Sequence, residues 1–188
     1  AASVDVKATA GNDSNVNQIV SKAEVPTVSL SGVDSKLVQA HSTVRSNTTR
    51  AGVGADANIT TTGDVSIFAQ TNTKMEAGAN KSASTGVSFM GVGRYEFHNK
   101  VANQTTEAYL NGKVLAGGKL TVEAKDKVEA DSSLNNNSIG AVTNGKNKVE
   151  MKVNHNSLVS VGANADAEAK GDVILKANAY LDLHGIVN

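Results

Sequence analysis

Three histidines recur at equal intervals along the chain, at His41, His98 and His155. Imidazoles at a fixed interval could bind a metal ion or pass protons along one face of a repeating scaffold. The distance from each histidine to the next glycine of the repeat described below shortens from the first to the third, so the histidines do not keep one phase. We therefore expect separate, solvent-facing histidines that do not stack, and no metal site.

The carboxylates also lack the arrangement that catalysis needs. Asp64, Glu123 and Asp172 stand singly at polar positions of the repeat, whereas acid–base catalysis needs a close pair. A polysaccharide lyase would need clustered acids beside a basic residue, and neither Arg50 nor Arg94 has an acidic cluster near it in sequence. No phosphate-binding loop, dinucleotide fingerprint or zinc spacing occurs. The sequence therefore predicts no enzyme and no cofactor.

Composition excludes further classes of partner. Lysine plus arginine and aspartate plus glutamate both number 18, so net charge does not favour nucleic acid. No apolar run reaches the roughly 20 residues that a membrane-spanning helix needs. The chain has no Cys or Trp and three Phe, which predicts a core of small aliphatic side chains without disulfides.

A seven-residue motif occurs three times in similar form. The chain reads GDVSIFA at 63–69, GKLTVEA at 118–124 and GDVILKA at 171–177. With the opening match at Val4, the first apolar residues are Val4, Val65, Leu120 and Val173, which recur at similar intervals. Such periodicity is typical of repeat architectures in which like units stack on one another.

Alternation within each copy predicts strands. Apolar residues occupy every second position, which places them on one face of a strand. The candidate core residues are Val65, Ile67, Ala69, Leu120, Val122, Ala124, Val173, Leu175 and Ala177.

Glycine and asparagine mark the candidate corners. Gly63, Gly118 and Gly171 precede the strands, where we expect a positive φ that only glycine adopts cheaply. A second set recurs at a nearly constant distance before these glycines, and we expect turns or a ladder of stacked amides there. Its members are Asn47, Asn103 and Asn156.

The spacing predicts a single all-β solenoid over residues 1–188. Short apolar runs at intervals of six to eight residues predict coils that close after about 20 residues, two or three per unit. The units are 25–78, 79–132 and 133–185, with 1–24 a partial unit.

The order of these motifs resembles a known family. NQTTEAYLNGKVLAGGKLTVEAKDKVEA at 103–130, echoed at 47–69 and 161–179, is similar to the repeat regions of large filamentous adhesins and filamentous haemagglutinin-like exoproteins of Gram-negative bacteria. The resemblance implies a right-handed parallel β-helix, secretion through an outer-membrane partner or autotransporter pore, and a place on the bacterial cell surface.

Three functions remain open. The first is a structural stalk or filament segment of a surface adhesin without catalysis. The second is an adhesive module that recognises host glycan or matrix through its lateral faces, and the third is a β-helical polysaccharide lyase. Because neither terminal strand carries a polar cap, we also expect end-to-end self-association, or continuation of a longer solenoid.

Overall fold

A computed structural model of the chain describes residues 2–11, 16–23, 31–79, 87–134, 139–140 and 143–187. These residues form strands and a few short turns, with no helix among them. Every pairing between the described strands is parallel. The predicted all-β class is confirmed, and so is the parallel pairing.

Thirteen strands lie in the described ranges. In chain order they are β1 (Val4–Ala10), β2 (Asn17–Ala23), β3 (Ser31–Val44), β4 (Asn47–Val53), β5 (Asn58–Thr61), β6 (Val65–Ala79), β7 (Val87–Leu110), β8 (Lys113–Ala116), β9 (Leu120–Leu134), β10 (Ile139–Gly140), β11 (Thr143–Val161), β12 (Asp166–Ala169) and β13 (Val173–Val187).

The strands form three sheets. Sheet A has the order β1-β6-β9-β13, and β2 also pairs with β6. In sheet B, β7 pairs with β3 and β4 of the preceding stretch and with β10 and β11 of the following one. Sheet C is short and has the order β12-β8-β5.

The chain contributes strands to sheets B, C and A in that order and then repeats the order. We call each run through the three sheets a pass. The first pass covers 31–79, the second 87–134 and the third 139–187. β1 and β2 precede the first pass and add only to sheet A. Each pass therefore lies beside the next one, strand against equivalent strand.

The expectation of coils that close after about 20 residues is wrong. In sheet A, Val4 pairs with Val65, Val65 with Leu120, and Leu120 with Val173, so the chain returns to the same strand position only after more than twice that length. One pass needs this length because its strands are long: β7 has 24 residues and β9 has 15. Apolar runs that look separate in the sequence belong to one strand.

Sheets A and B face each other, and sheet C closes one end between them. Residues of β6, β7, β8 and β9 share one apolar cluster. Val65, Ile67, Ala69, Leu120, Val122 and Ala124 are all at most 1% exposed. Two aromatic rings also fit inside: Phe97 is fully buried and Tyr95 is 7% exposed, and the small residues Ala40 and Ala77 belong to the same cluster.

The third pass differs from the other two. Val173 and Leu175 pair with Leu120 and Val122 and so point to the same inner side. They are nevertheless 53% and 51% exposed, and Ala177 is exposed as well. The prediction that these three residues are buried is wrong, since β13 has a neighbouring strand on one side only among the described residues.

Candidate functional site

The three repeat glycines form a hydrogen-bonded column. The amide of Gly118 donates to the carbonyl of Gly63 at 2.9 Å, and the amide of Gly171 donates to the carbonyl of Gly118 at 2.9 Å. A positive φ does not explain them, because Gly11 (φ 77°) has the only positive φ among the described residues. That expectation was wrong.

The lack of room for a side chain explains why these positions are glycine. A Cβ on Gly63 would overlap the carbonyl oxygen of Ala2, and a Cβ on Gly118 would overlap Oδ1 of Asp64. Asp64 holds this position because its Oδ1 accepts the amide of Lys119 at 2.7 Å. Glycine is therefore needed because adjacent passes approach closely at the point where each sheet A strand begins.

The three asparagines do not form a ladder. Asn47 pairs with Gln104, and Asn156 pairs with Thr105. Asn103 lies at a bulge, where two residues of β7 oppose one residue of β11. The residues lie within sheet B, beside the interruption between β3 and β4, and not at a turn between sheets. The expected amide ladder and corner are therefore wrong.

Two of the three histidines do stack. His41 pairs with His98 across β3 and β7, and their rings lie 4.8 Å apart at 3° to each other. The expectation against stacking was wrong for this pair. The turn between Val53 and Asn58 is two residues longer than the equivalent turn between β7 and β8. The longer turn increases the number of residues between His41 and Gly63, but His41 and His98 remain strand partners.

The stacked pair belongs to a polar row on the outer face of sheet B. Nδ1 of His98 lies 3.4 Å from Oε2 of Glu150, its partner in β11. Glu150 also contacts Lys148 at 2.5 Å and Lys152 at 2.7 Å. Hydrogen bonds from Lys148 and then from Lys152 lower the pKa of Glu150 to about 2. The row therefore keeps a carboxylate charged among cations.

A second carboxylate on the outer face of sheet B, that of Glu96, also accepts hydrogen bonds from side chains. Nε2 of Gln39 donates to Oε2 of Glu96 at 2.7 Å, and Nε of Arg94 donates to Oε1 at 2.7 Å. These hydrogen bonds, that of Gln39 first, lower the pKa of Glu96. The outer face of sheet B is thus bound together across passes by side-chain contacts.

The third histidine, His155, lies inside the molecule and contacts the fully buried carboxylate of Asp126. Oδ2 of Asp126 is 2.5 Å from Nδ1 of His155, whose side chain is 11% exposed. Oδ1 of Asp126 accepts Nε2 of Gln104 at 2.9 Å and Oγ1 of Thr106 at 2.7 Å. The expectation of a solvent-facing His155 was therefore wrong.

Threonines extend this buried polar cluster into the first pass. Oγ1 of Thr73 donates to Oε1 of Gln104 at 2.9 Å, and Oγ1 of Thr71 donates to that of Thr49 at 2.9 Å. Oγ1 of Thr106 lies 2.6 Å from that of Thr71. The cluster connects strands of both facing sheets in the first two passes with β11 of the third. Its contacts satisfy a buried charge, which would be costly if left unpaired.

The sequence contained one signal of this cluster. Asp126 keeps the period-two phase of Leu120, Val122, Ala124 and Val128, so it occupies an inward position of β9. A polar residue in the inward phase of a strand needs partners inside the core. Those partners are distant in sequence, so the pattern does not reveal them.

The predicted acidic residues stay apart. Asp64 lies on the first pass and Asp172 on the third, with Lys119 of the second pass in register between them. Glu123 faces outward on β9, in register with Phe68 and Lys176. In the described part of the chain, no group of three or more histidines and carboxylates is placed to hold a metal ion. The described ranges also contain no helix of the length and hydropathy needed to cross a bilayer.

No family model matches this chain, and no significant match was found among curated proteins or solved structures.

Proposed function

We propose that this chain is a segment of a right-handed parallel β-solenoid that serves as a non-catalytic stalk of an extracellular bacterial surface adhesin. The observation that carries the proposal is the uniform parallel register of equivalent strands over the three passes, with the glycine column at one edge. Right-handedness follows the general rule for crossovers between parallel strands. The bacterial surface is proposed from the motif order of the sequence.

The stack supports a mechanical role. Each pass covers the backbone edges and the apolar inner face of its neighbour, so stability grows with the number of passes. The described interior holds apolar side chains, the Asp126 cluster and further polar side chains such as Asn99, which donates to Asp131 and Ser132. These contacts between passes and between facing sheets support a structural role for the interior.

A duplication tests the stalk. A second copy of residues 65–119, inserted after Lys119, adds one pass in register because Val65 and Leu120 are equivalent. We expect a folded chain about 4.8 Å longer along the stacking direction, with a larger denaturant m-value. Small-angle scattering and urea titration measure both. A duplicated chain that unfolds as a separate, less stable unit would contradict the stalk proposal.

A second candidate is an adhesive module that recognises host glycan or matrix. One observation favours it: Tyr180 on the outer face of sheet A is 54% exposed, with Nζ of Lys127 5.5 Å from its ring centroid. An exposed aromatic ring beside a cation can stack on a sugar. A glycan and matrix-protein array with the wild-type chain and Tyr180→Ala decides between the two. Binding that is lost in the variant supports the adhesive module, and no binding supports the stalk.

Self-association belongs to the proposal as well. The chain associates end to end through its terminal strands, or a longer solenoid continues across them. Strand edges at either end of a parallel stack present unpaired amides and carbonyls that another strand can use.

A further inference from the structure

The outer face of sheet B is rich in cations, although basic and acidic residues are equal in number over the whole chain. At the outward positions within 94–100 of β7 and 146–152 of β11, five residues are cations and two are carboxylates. On β9 in sheet A, by contrast, the outward residues within 123–131 are two lysines and three carboxylates. The five exposed cations of sheet B, which we call the cationic face, are Arg94, Lys100, Lys146, Lys148 and Lys152.

The carboxylates of sheet B lie beneath these cations. The side chain of Arg94 is 63% exposed, whereas that of Glu96, which it contacts, is 11% exposed. Lys152 and Glu150 differ in the same way, at 71% and 23%. Lysines and carboxylates that touch on sheet A are more nearly equal in exposure. Long cationic side chains therefore form the outermost layer of sheet B, and a partner that approaches this face meets cations first.

Like charges also lie directly opposite one another in this face. Arg94 is the strand partner of Lys146, and Lys100 is the strand partner of Lys152. Like charges at directly opposed positions destabilise a sheet. Lys100 and Lys146 form no ion pair with any described residue. A bound anion would relieve this repulsion, which the fold itself leaves uncompensated.

The side chains around the cationic face narrow the choice of partner. Sugars and unpaired bases usually stack on aromatic rings, and the outward positions within 39–43, 94–100 and 146–152 hold no Phe, Tyr or Trp. The cations cover two strands and not one line, with about 4.8 Å between strands and about 7 Å between successive outward residues. A lipid surface presents phosphate groups over an area of this kind.

We propose that the cationic face binds the phosphate headgroups of an anionic lipid surface, so that the stack lies with sheet B against the membrane. The attraction comes from charge alone, so the chain binds at the surface without inserting. Sheets A and B face each other through the core, so the outer face of sheet A points away from the lipid. This assignment goes beyond the stalk, because it gives the two sides of the stack different surroundings.

Co-sedimentation of the full chain with vesicles tests the proposal. We expect binding to vesicles that contain phosphatidylglycerol and none to vesicles of phosphatidylcholine alone, because only the first carry net charge. Binding should disappear at about 1 M salt, where the screening length is about 3 Å. Equal binding to both kinds of vesicle, or binding that persists in salt, would overturn the proposal.

A pair of double variants locates the binding face. Lys100→Gln with Lys146→Gln should weaken binding to phosphatidylglycerol vesicles by about fivefold for each cation removed. The fold should persist because neither lysine forms an ion pair with a described residue, and thermal unfolding checks this. The matched control is Lys7→Gln with Lys176→Gln, which removes the same charge from exposed positions on the outer face of sheet A. The control should bind as the wild type does, and an equal loss in both variants would overturn the assignment to sheet B.

Fluorescent labels test which side of the stack meets the lipid. The chain has no Cys, so Thr43→Cys, whose strand partner is Lys100, and Asn178→Cys on sheet A each give one defined thiol. Nitroxide-labelled lipid should quench the label at 43 and leave the label at 178 bright. Quenching of the label at 178 alone would overturn the proposal. So would a wild-type chain that binds dextran sulfate or duplex DNA but ignores phosphatidylglycerol vesicles, because the partner would then be a polyanionic chain.

Discussion

The carboxylate of Asp126, which has no exposed surface, lies 2.5 Å from Nδ1 of His155 on the facing sheet. The pair joins the second pass to the third, and Gln104 and Thr106 bind the other carboxylate oxygen. A buried charge with several partners is costly to break, even where its net contribution to stability is small.

Asp126→Ala should therefore destabilise the fold strongly. The variant leaves Gln104, Thr106 and His155 buried without their acceptor, and we expect a loss of about 3 kcal/mol or more in the free energy of unfolding. Urea titration measures it. The control is Asp172→Ala, whose side chain is 74% exposed and whose loss should change stability by less than about 0.5 kcal/mol. Equal effects of the two substitutions would contradict the buried cluster.

Val122 and Leu175 are strand partners with opposite exposure, which gives a matched pair of variants. Val122→Asp puts a charge into the apolar interior, and we expect a loss on the order of 3–5 kcal/mol. Leu175→Asp places the same charge at a position that is 51% exposed, and should cost far less. Thermal unfolding of the two variants and the wild type measures both losses of stability. Unchanged unfolding of Val122→Asp would count against the inward direction of β9.

Gly118→Ala tests the close approach of passes at the glycine column. The added methyl group displaces the Asp64 carboxylate from the amide of Lys119, and overpacking of this kind costs about 1–3 kcal/mol. Gly54→Ala is the control, because a Cβ there has no atom within 4 Å. Denaturant midpoints should fall for the first variant and stay for the second. A neutral Gly118→Ala would show that the passes are further apart than the structure places them.

The pKa of Glu150 predicts an acid-dependent contribution to stability. Hydrogen bonds from Lys148 and Lys152 lower this pKa from 4.5 to about 2 in the folded chain. The charged carboxylate therefore stabilises the fold above pH 4.5, and the contribution is lost as pH falls from 4.5 towards 2.

We expect Glu150→Gln to melt at a lower temperature than the wild type at pH 6, with the difference vanishing near pH 2. The double variant Lys148→Gln with Lys152→Gln should remove most of the same pH dependence, because it removes the two donors. A difference between wild type and Glu150→Gln that is constant with pH would argue against this assignment.

The sequence predicted the strand register but not the length of a pass. Matching the repeated phrases aligned Val65, Leu120 and Val173, and these residues are strand partners. The sequence predicted short strands because charged residues separate its apolar runs, for example 120–124 from 128–130. Asp126 is instead an inward residue in the middle of β9. Because this buried carboxylate interrupts the apolar pattern, the pattern divides one long strand into two.

The sequence did not predict the buried cluster around Asp126 or the stacking of His41 on His98, and the two reasons are related. Asp126 finds its partners on strands that are distant in sequence, and only the facing of sheets A and B brings them together. His41 and His98 kept their register, but the two extra residues of the turn at 54–57 altered the count to the next glycine. Local pattern therefore predicted each strand, whereas the contacts between sheets depend on turn lengths and on side chains that meet across the core.

The pairing of Ser66 with Thr121 offers the most direct measurement of the central claim, which is that equivalent strands of successive passes lie side by side. These two outward residues are strand partners in β6 and β9. In this Cys-free chain, Ser66→Cys with Thr121→Cys should form an intramolecular disulfide in the dilute, oxidised monomer, seen by mass and peptide mapping. Ser66→Cys with Ile174→Cys should not, because β9 lies between those strands. Linkage of the second pair, or failure of the first in a folded chain, would contradict the account.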